Sequence, residues 1–267
     1  MNPTIIEQIL LGIIQGITEW IPISSSAMIT FFMVNFLKIT NPEIIIRSAL
    51  FLHLGTFLAA LIYFRKDVAD LIKALFNYKI SPRETQATLK FIIITTLISG
   101  ILGFFLLFFF YNYISELKLT GKTITFFVGV LLLFTGILQI KIKDRGIKKA
   151  SELKNKDSVI LGFTQAIATL PGVSRSGITI STLLLRKFND TTALKLSFIM
   201  SLPIVLVGNI ILSLEDVTLY STSIYALLTS FIFGLLTIHG LIRLSKKINF
   251  GWFAILFAVL MLISILI

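Results

Sequence analysis

Cysteine is missing from the 267-residue chain. No disulfide framework and no thiolate metal site is therefore available. Charge is scarce too: 14% of residues are Asp, Glu, Lys or Arg, against roughly 25% in soluble domains. Acidic residues are the scarcest, 13 against 24 basic. Proline occurs six times and histidine twice, so a proline inside an apolar stretch marks a break, and a histidine there asks for a reason. What remains is apolar. Hydrophobic residues make up 56% of the chain and the mean hydropathy is +0.95, above the roughly 45–50% apolar content of soluble domains. The class implied is an all-α polytopic membrane protein. A formal net charge of +11 raises nucleic acid as a partner, but the basic residues fall between apolar segments, as in membrane proteins with basic loops. No nucleic acid is expected. The opening "MNPTIIEQILLGII" has neither a basic n-region nor a small-residue cleavage site, so no removable signal peptide is expected.

A bilayer core takes roughly 20 apolar residues of helix. Six segments qualify: about 47–64, 91–110, 122–140, 193–213, 224–243 and 250–267. Two further apolar regions do not. Residues 5–37 are broken by "EWIPISSS" and residues 158–187 by "TLPGVSRSG". The pieces on either side are too short to cross. Proline removes a donor and disfavours helix in the preceding residue. Both regions therefore read as re-entrant helix pairs with their tips at membrane depth.

The charges agree with this layout. If each pair returns to its own side and each of the six spans crosses, then 65–90, 141–156, 186–195 and 243–249 share one side. These loops hold nineteen of the 24 basic residues. The opposite loops hold Lys38, Arg47, Lys118 and Lys122, and the one left over is Arg175. Basic residues collect on the cytoplasmic side. The expected protein is a multi-pass cell (plasma) membrane protein with both termini outside.

The two broken regions also resemble each other. "GIIQGITEWIPISSS" (12–26) and "GFTQAIATLPGVSRS" (162–176) keep Gly12, Gln15, Pro22 and the serines 24–26 in the same order as Gly162, Gln165, Pro171, Ser174 and Ser176. Three spans follow each. The chain is thus expected to be one membrane domain, 1–267, made of inverted repeats at about 1–142 and 157–267 joined by the basic loop 141–156. Inverted repeats with broken helices meet at a midplane site, their helix N-termini aimed at an anionic group.

Two charges lie at membrane depth, Glu19 in the first break and Arg175 in the second. Such residues mark functional sites by default; the alternative is a salt bridge pinning the two tips. Ser24, Ser25 and Ser26 precede an expected helix 27–37, and Ser174 and Ser176 precede one at 177–187. Free N–H groups and the positive dipole end at such helix starts suit an anion. Gly172 and Gly177 permit close backbone approach. The planar fork of arginine grips phosphate bidentately. Glu19 alone would repel phosphate, whereas a divalent cation, Mg²⁺ or Ca²⁺, is held by carboxylate and phosphate oxygens together. Gln15, one turn before Glu19, adds an amide oxygen.

These residues carry a family resemblance. "QGITE", Gln15 to Glu19, looks like the (E/Q)xxxE motif of the undecaprenyl pyrophosphate phosphatases of the bacitracin-resistance type. "PGVSRSGIT", Pro171 to Thr179, resembles that family's PGxSRSxxT motif at every fixed position. The resemblance implies hydrolysis of a long-chain polyprenyl diphosphate to the monophosphate carrier lipid, in recycling for envelope glycan synthesis. It implies a metal and acid/base role for Gln15 and Glu19, a place for Ser24 and Ser25 beside the reacting phosphate, and phosphate binding by Ser174, Arg175, Ser176 and Thr179. The nucleophile is Ser25 or a water activated by Glu19. The partners implied are the polyprenyl diphosphate lipid and the bilayer; a homodimer is left open. The active site is expected to open to the outer face.

One departure stands out. Family members often carry a histidine where this chain has Met28, in "SSSAMI". Methionine neither transfers a proton nor attacks phosphorus. His53, on the first full span, is an accessory candidate provided that its helix packs against the tips. A rival reading from another class is a transporter that flips a polyprenyl phosphate, since the same scaffold serves transporters.

The sidedness is directly testable, because the native chain has no cysteine to remove. Asp216→Cys should react with an impermeant thiol reagent in intact cells, and Lys149→Cys should not. The reverse pattern would invert the topology.

Overall fold

The computed structural model describes residues 4–21, 23–116, 121–141, 146–170, 172–215, 224–244 and 251–266. Among these are eleven α-helices and no β-strand. They are α1 (Ile5–Thr18), α2 (Ser25–Asn35), α3 (Pro42–Tyr63), α4 (Arg65–Phe76), α5 (Arg83–Glu116), α6 (Gly121–Ile140), α7 (Asn155–Ile167), α8 (Arg175–Leu185), α9 (Asp190–Glu215), α10 (Ile224–Leu244) and α11 (Gly251–Ser264).

Five of them, α3, α5, α6, α9 and α10, are long and apolar enough to cross a membrane. The protein is therefore a membrane protein. The sixth expected span, 250–267, differs: its described helix, α11, has 14 residues, no more than α1, and does not reach the length of the other five. The helices flanking each break are short, as the sequence predicts. α1 and α2 have 14 and 11 residues, and α7 and α8 have 13 and 11. At about 1.5 Å per residue, each is at most about 21 Å long, against a hydrocarbon core of about 30 Å.

Local chemistry sets the ends. Thr4 and Glu7 form a capping box at the start of α1. Asn41 caps α3, whose first residue is Pro42, a position where the missing N–H costs nothing. α2 and α8 each begin two residues earlier than the apolar pattern predicts. Ser24 and Ser174 are the caps, accepting from Ala27 N at 3.3 Å and Gly177 N at 3.0 Å. Another departure from the sequence reading is α4, which occupies part of the stretch read as loop. It is amphipathic rather than apolar, with Arg65, Lys66, Asp67, Asp70 and Lys73 among its residues, so a search for long apolar runs passes over it.

The helices pack across the two halves of the chain. α1 lies against α10, and α7 lies against α5. These are equivalent choices, since α10 and α5 are the second long helix after each broken region. α6 packs on α11, α3 on α9 and α10, and both α2 and α8 touch α6. Small residues permit the close approaches, as is usual between membrane helices. Gly12 and Gly16 of α1 face α10, and Gly162 of α7 faces Ile98 of α5. The largest buried cluster contains Trp20, Phe64, Phe91, Phe188 and Phe198. Within it Trp20 meets Phe198 edge-on, ring centroids 5.0 Å apart, which fastens the first break to α9.

Three of the loops expected on one side of the membrane meet. Asp67 pairs with Lys195 at 2.6 Å, and the backbone of Lys148 bonds to Lys187 and Asn189 at 2.9 and 3.0 Å. The start of α7 also meets the end of α8, where buried Asp157 pairs with Arg186 at 2.7 Å.

The helix contacts predict a contrast between two glycines. A Cβ at Gly16 would lie 2.7 Å from Gly234 N and 2.8 Å from Ser230 O, whereas one at Gly240 meets nothing within 4 Å. Gly16→Ala should lower the midpoint of thermal unfolding in detergent, by overpacking that costs about 1–3 kcal/mol. Gly240→Ala should leave it unchanged or raise it, since alanine gains up to about 1 kcal/mol over glycine in a helix. Equal midpoints for the two variants would refute the α1–α10 packing.

Candidate active site

The two breaks meet face to face. α1 ends in a cap at Glu19, whose N–H still bonds to Gln15 O at 2.9 Å. The chain then turns so that α2 can start at Ser25, with Ser24 at φ +66°. In the second break the left-handed residue is Gly172, at φ +98°. A side chain there would also strike the backbone of Val128. The serine pairs repeat: Ser24 Oγ lies 3.1 Å from Ser26 Oγ, and Ser174 Oγ 3.4 Å from Ser176 Oγ. Ser176 Oγ also reaches Ile21 O of the other break at 3.5 Å.

Glu19 is the hub. Its side chain is 4% exposed. Oε1 pairs with Arg175 Nη2, 156 residues away in the chain. Oε2 accepts from Ser25 Oγ at 2.6 Å and Gln15 Nε2 at 2.9 Å, and lies 3.1 Å from His53 Nε2. A carboxylate this buried is tolerable only when paired and hydrogen-bonded, and four contacts, from Gln15, Ser25, His53 and Arg175, provide that. Arg175 is held on its other side by Ser197 O, 3.3 Å from Nη1. Thr179 Oγ1 donates to Arg175 O at 2.7 Å and lies 2.7 Å from Ser197 Oγ.

Two adjoining cavities open here. The smaller, about 50 Å³, is lined by Glu19, Ser24, Ser25, Ser26, His53, Ser174, Arg175 and Ser176, with Ala168 and Val173. The larger, about 440 Å³, is bounded mainly by apolar residues of α3, α5, α6 and α9, among them Ile45, Leu50, Phe104, Val128 and Ile204. Ser26, His53, Ala168 and Arg175 line both. α2 and α8 start at the small cavity, so their first N–H groups, which have no intrahelical partner, and their positive dipole ends serve it.

Most residues singled out from the sequence converge on this place. Gln15, Gly172 and Thr179 do not line the small cavity: Gln15 supports Glu19, Gly172 packs on α6, and Thr179 supports the backbone of Arg175. His53 does line it, because α3 packs against both α1 and α2. Met28 instead joins an apolar cluster with Ile23, Val128 and Leu132. The sequence reading missed Ser197, which no motif flags, and Thr56, 3.4 Å from Gln15 Nε2. It also missed Ser99, which accepts from Gln165 Nε2 at 2.8 Å. Gln15 thus meets a hydroxyl on α3 and Gln165 one on α5, contacts between helices far apart in sequence that no motif flags.

The family model described as bacitracin resistance protein BacA matches residues 8–263. The chain belongs to this family. It is 40% identical over 263 residues to a protein of Methanococcoides burtonii, covering 97% of each chain. It is 34% identical over 254 residues to one of Methanothrix thermoacetophila, covering 94% of this chain and 93% of the other. It is 35% identical over 259 residues to one of Christiangramia forsetii, with coverage of 94% and 93%. Each of these relatives is named undecaprenyl-diphosphatase. As a family member the chain spans almost the full length of these relatives, so the site described above belongs to the part that they share.

Proposed function

We propose that the protein is a membrane-embedded phosphatase that hydrolyses a long-chain polyprenyl diphosphate, undecaprenyl diphosphate or a similar lipid, to polyprenyl phosphate and inorganic phosphate. The observation that carries this reading is the junction of the two cavities. A polar pocket with five serines, a carboxylate, an arginine and a histidine opens directly into an apolar groove. Few ligands other than a phosphorylated lipid need both. The names of the relatives point to the same activity.

In this reading the terminal phosphate sits in the small pocket. The N-termini of α2 and α8 and the guanidinium of Arg175 stabilise its charge as it grows in the transition state. Ser24, Ser26, Ser174 and Ser176 donate hydroxyls. Ser25 is the nucleophile, because its hydroxyl already donates to Glu19 at 2.6 Å, and a serine needs such a base. Ser25 Oγ attacks the terminal phosphorus and its proton passes to Glu19. The bond to the bridging oxygen breaks and polyprenyl phosphate leaves. A water then releases inorganic phosphate from Ser25 and restores the hydroxyl.

A divalent cation, Mg²⁺ or Ca²⁺, fits beside these groups. Gln15 Oε1 is buried with no hydrogen-bond partner in the structure, one turn from the carboxylate of Glu19. Among the described residues no cluster of three or more His, Cys, Asp or Glu could hold a metal, so Glu19 and Gln15 would bind it together with phosphate oxygens. When bound, the cation neutralises charge on the phosphate.

The proposed topology is six membrane crossings and two re-entrant pairs in inverted halves, 1–142 and 157–267. It has both termini outside and the site open to the outer face. The pairing of α1 with α10 and of α7 with α5 supports the repeat. The Asp157–Arg186 contact supports a second pair whose ends return to one side.

The test is phosphate release by purified protein in detergent, where no two sides exist and transport alone yields nothing. The parent should release phosphate from a polyprenyl diphosphate, and excess EDTA should stop it. Arg175→Lys keeps the charge for Glu19 but loses the fork. A charge-assisted hydrogen bond is worth about 1.5–3 kcal/mol, so this variant should unfold at the parental temperature yet turn over at least roughly tenfold more slowly. No release by the parent would overturn the activity. A near-parental rate for Arg175→Lys would make the arginine structural.

A further inference from the structure

His53 belongs to neither break, and α3 contributes no other group to the small cavity. Its ring is fixed on both sides. Nδ1 meets the carbonyl of Ala49 one turn back, and Nε2 lies 3.1 Å from Glu19 Oε2. Both neighbours are acceptors, so the ring presents N–H groups to them. Ile45, Ile46, Ala49, Leu50 and His53 recur at helical spacing and all line the large groove, so one face of α3 runs along the groove and ends at the histidine.

The small cavity, about 50 Å³, is far smaller than the groove of about 440 Å³ that it joins, and it is the place given above to the terminal phosphate. The phosphate attached to the lipid, bonded to that one and to the tail in the groove, then lies where the cavities join. Ser24, Ser25, Ser174, Ser176 and Glu19 line only the small cavity, whereas His53 lines both, as do Ser26 and Arg175, and it is the one polar group that α3 brings to the junction.

Resting on the diphosphate-lipid reading, we infer that His53 is the binding residue for the phosphate attached to the lipid. Its Nε2–H, 3.1 Å from Glu19 Oε2, is shared between that carboxylate and the lipid-side phosphate and holds the departing polyprenyl phosphate in line with Ser25. The terminal phosphate is thus met by the breaks alone, whereas the lipid-side one also meets α3.

The experiment compares two ligands, farnesyl monophosphate and inorganic phosphate. Binding of each to the full chain in detergent is read from the rise in unfolding temperature during titration, which requires no turnover. His53→Leu should weaken farnesyl monophosphate by at least roughly tenfold, the loss of one hydrogen bond to a charged group. Inorganic phosphate should change by less than about threefold, on the same scale. His53→Gln, which keeps a side-chain N–H, should recover most of the lost affinity and covers the case in which the leucine variant does not fold. A purely structural role would weaken both ligands alike, and that result, or unchanged binding of the monophosphate in both variants, overturns the inference. Failure of the parent to release phosphate would instead sink the activity, whatever His53 binds.

Discussion

A single buried carboxylate organises this membrane protein. Glu19 lies at the end of a helix too short to cross the bilayer, where an uncompensated charge would cost several kcal/mol. Its partners come from four separate elements: Gln15 from α1, Ser25 from α2, His53 from α3 and Arg175 from α8. Satisfying Glu19 therefore requires the two broken regions to touch and α3 to lie beside them. The same contacts that make the charge tolerable bring together the groups that a phosphate needs.

The short helices follow from the same demand. A helix that crossed the bilayer would place its N-terminus at the surface. Breaking the chain at Ser24 and again at Ser174 puts two helix starts, with their unpaired N–H groups, beside Glu19 and Arg175. The serines that cap these helices accept from the backbone through Oγ and keep their O–H groups to donate, beside the serines that follow. The long helices play the complementary part. α3, α5, α6 and α9 enclose an apolar groove that ends at the polar pocket, so one substrate can be read by two chemistries, head and tail.

Much of this was legible in the chain. Low charge and long apolar runs gave the membrane class, and proline in two apolar runs marked the breaks. "PGVSRSGIT" and "QGITE" pointed to phosphate and to the family. The rest depends on packing between helices far apart in sequence. Ser197 holds Arg175 through a main-chain carbonyl, which any residue type supplies, so no motif records it. His53 has no local signal that separates it from a histidine bonded to a neighbouring helix; only the placement of α3 against α1 and α2 brings it to Glu19. α4 was invisible for the opposite reason, since its charges resemble those of a loop and only its amphipathic spacing makes a helix of it.

The central claim is that Glu19 and Arg175, from opposite halves of the chain, act as one unit. A double-mutant cycle on kcat/KM for a polyprenyl diphosphate measures this, using Glu19→Gln, Arg175→Lys and the pair together. Residues that act as a unit are grossly non-additive, so the double variant should be about as slow as the slower single variant. If instead the two losses multiply, to within the roughly 0.3–0.5 kcal/mol expected of independent sites, the two halves do not share one site and the account fails.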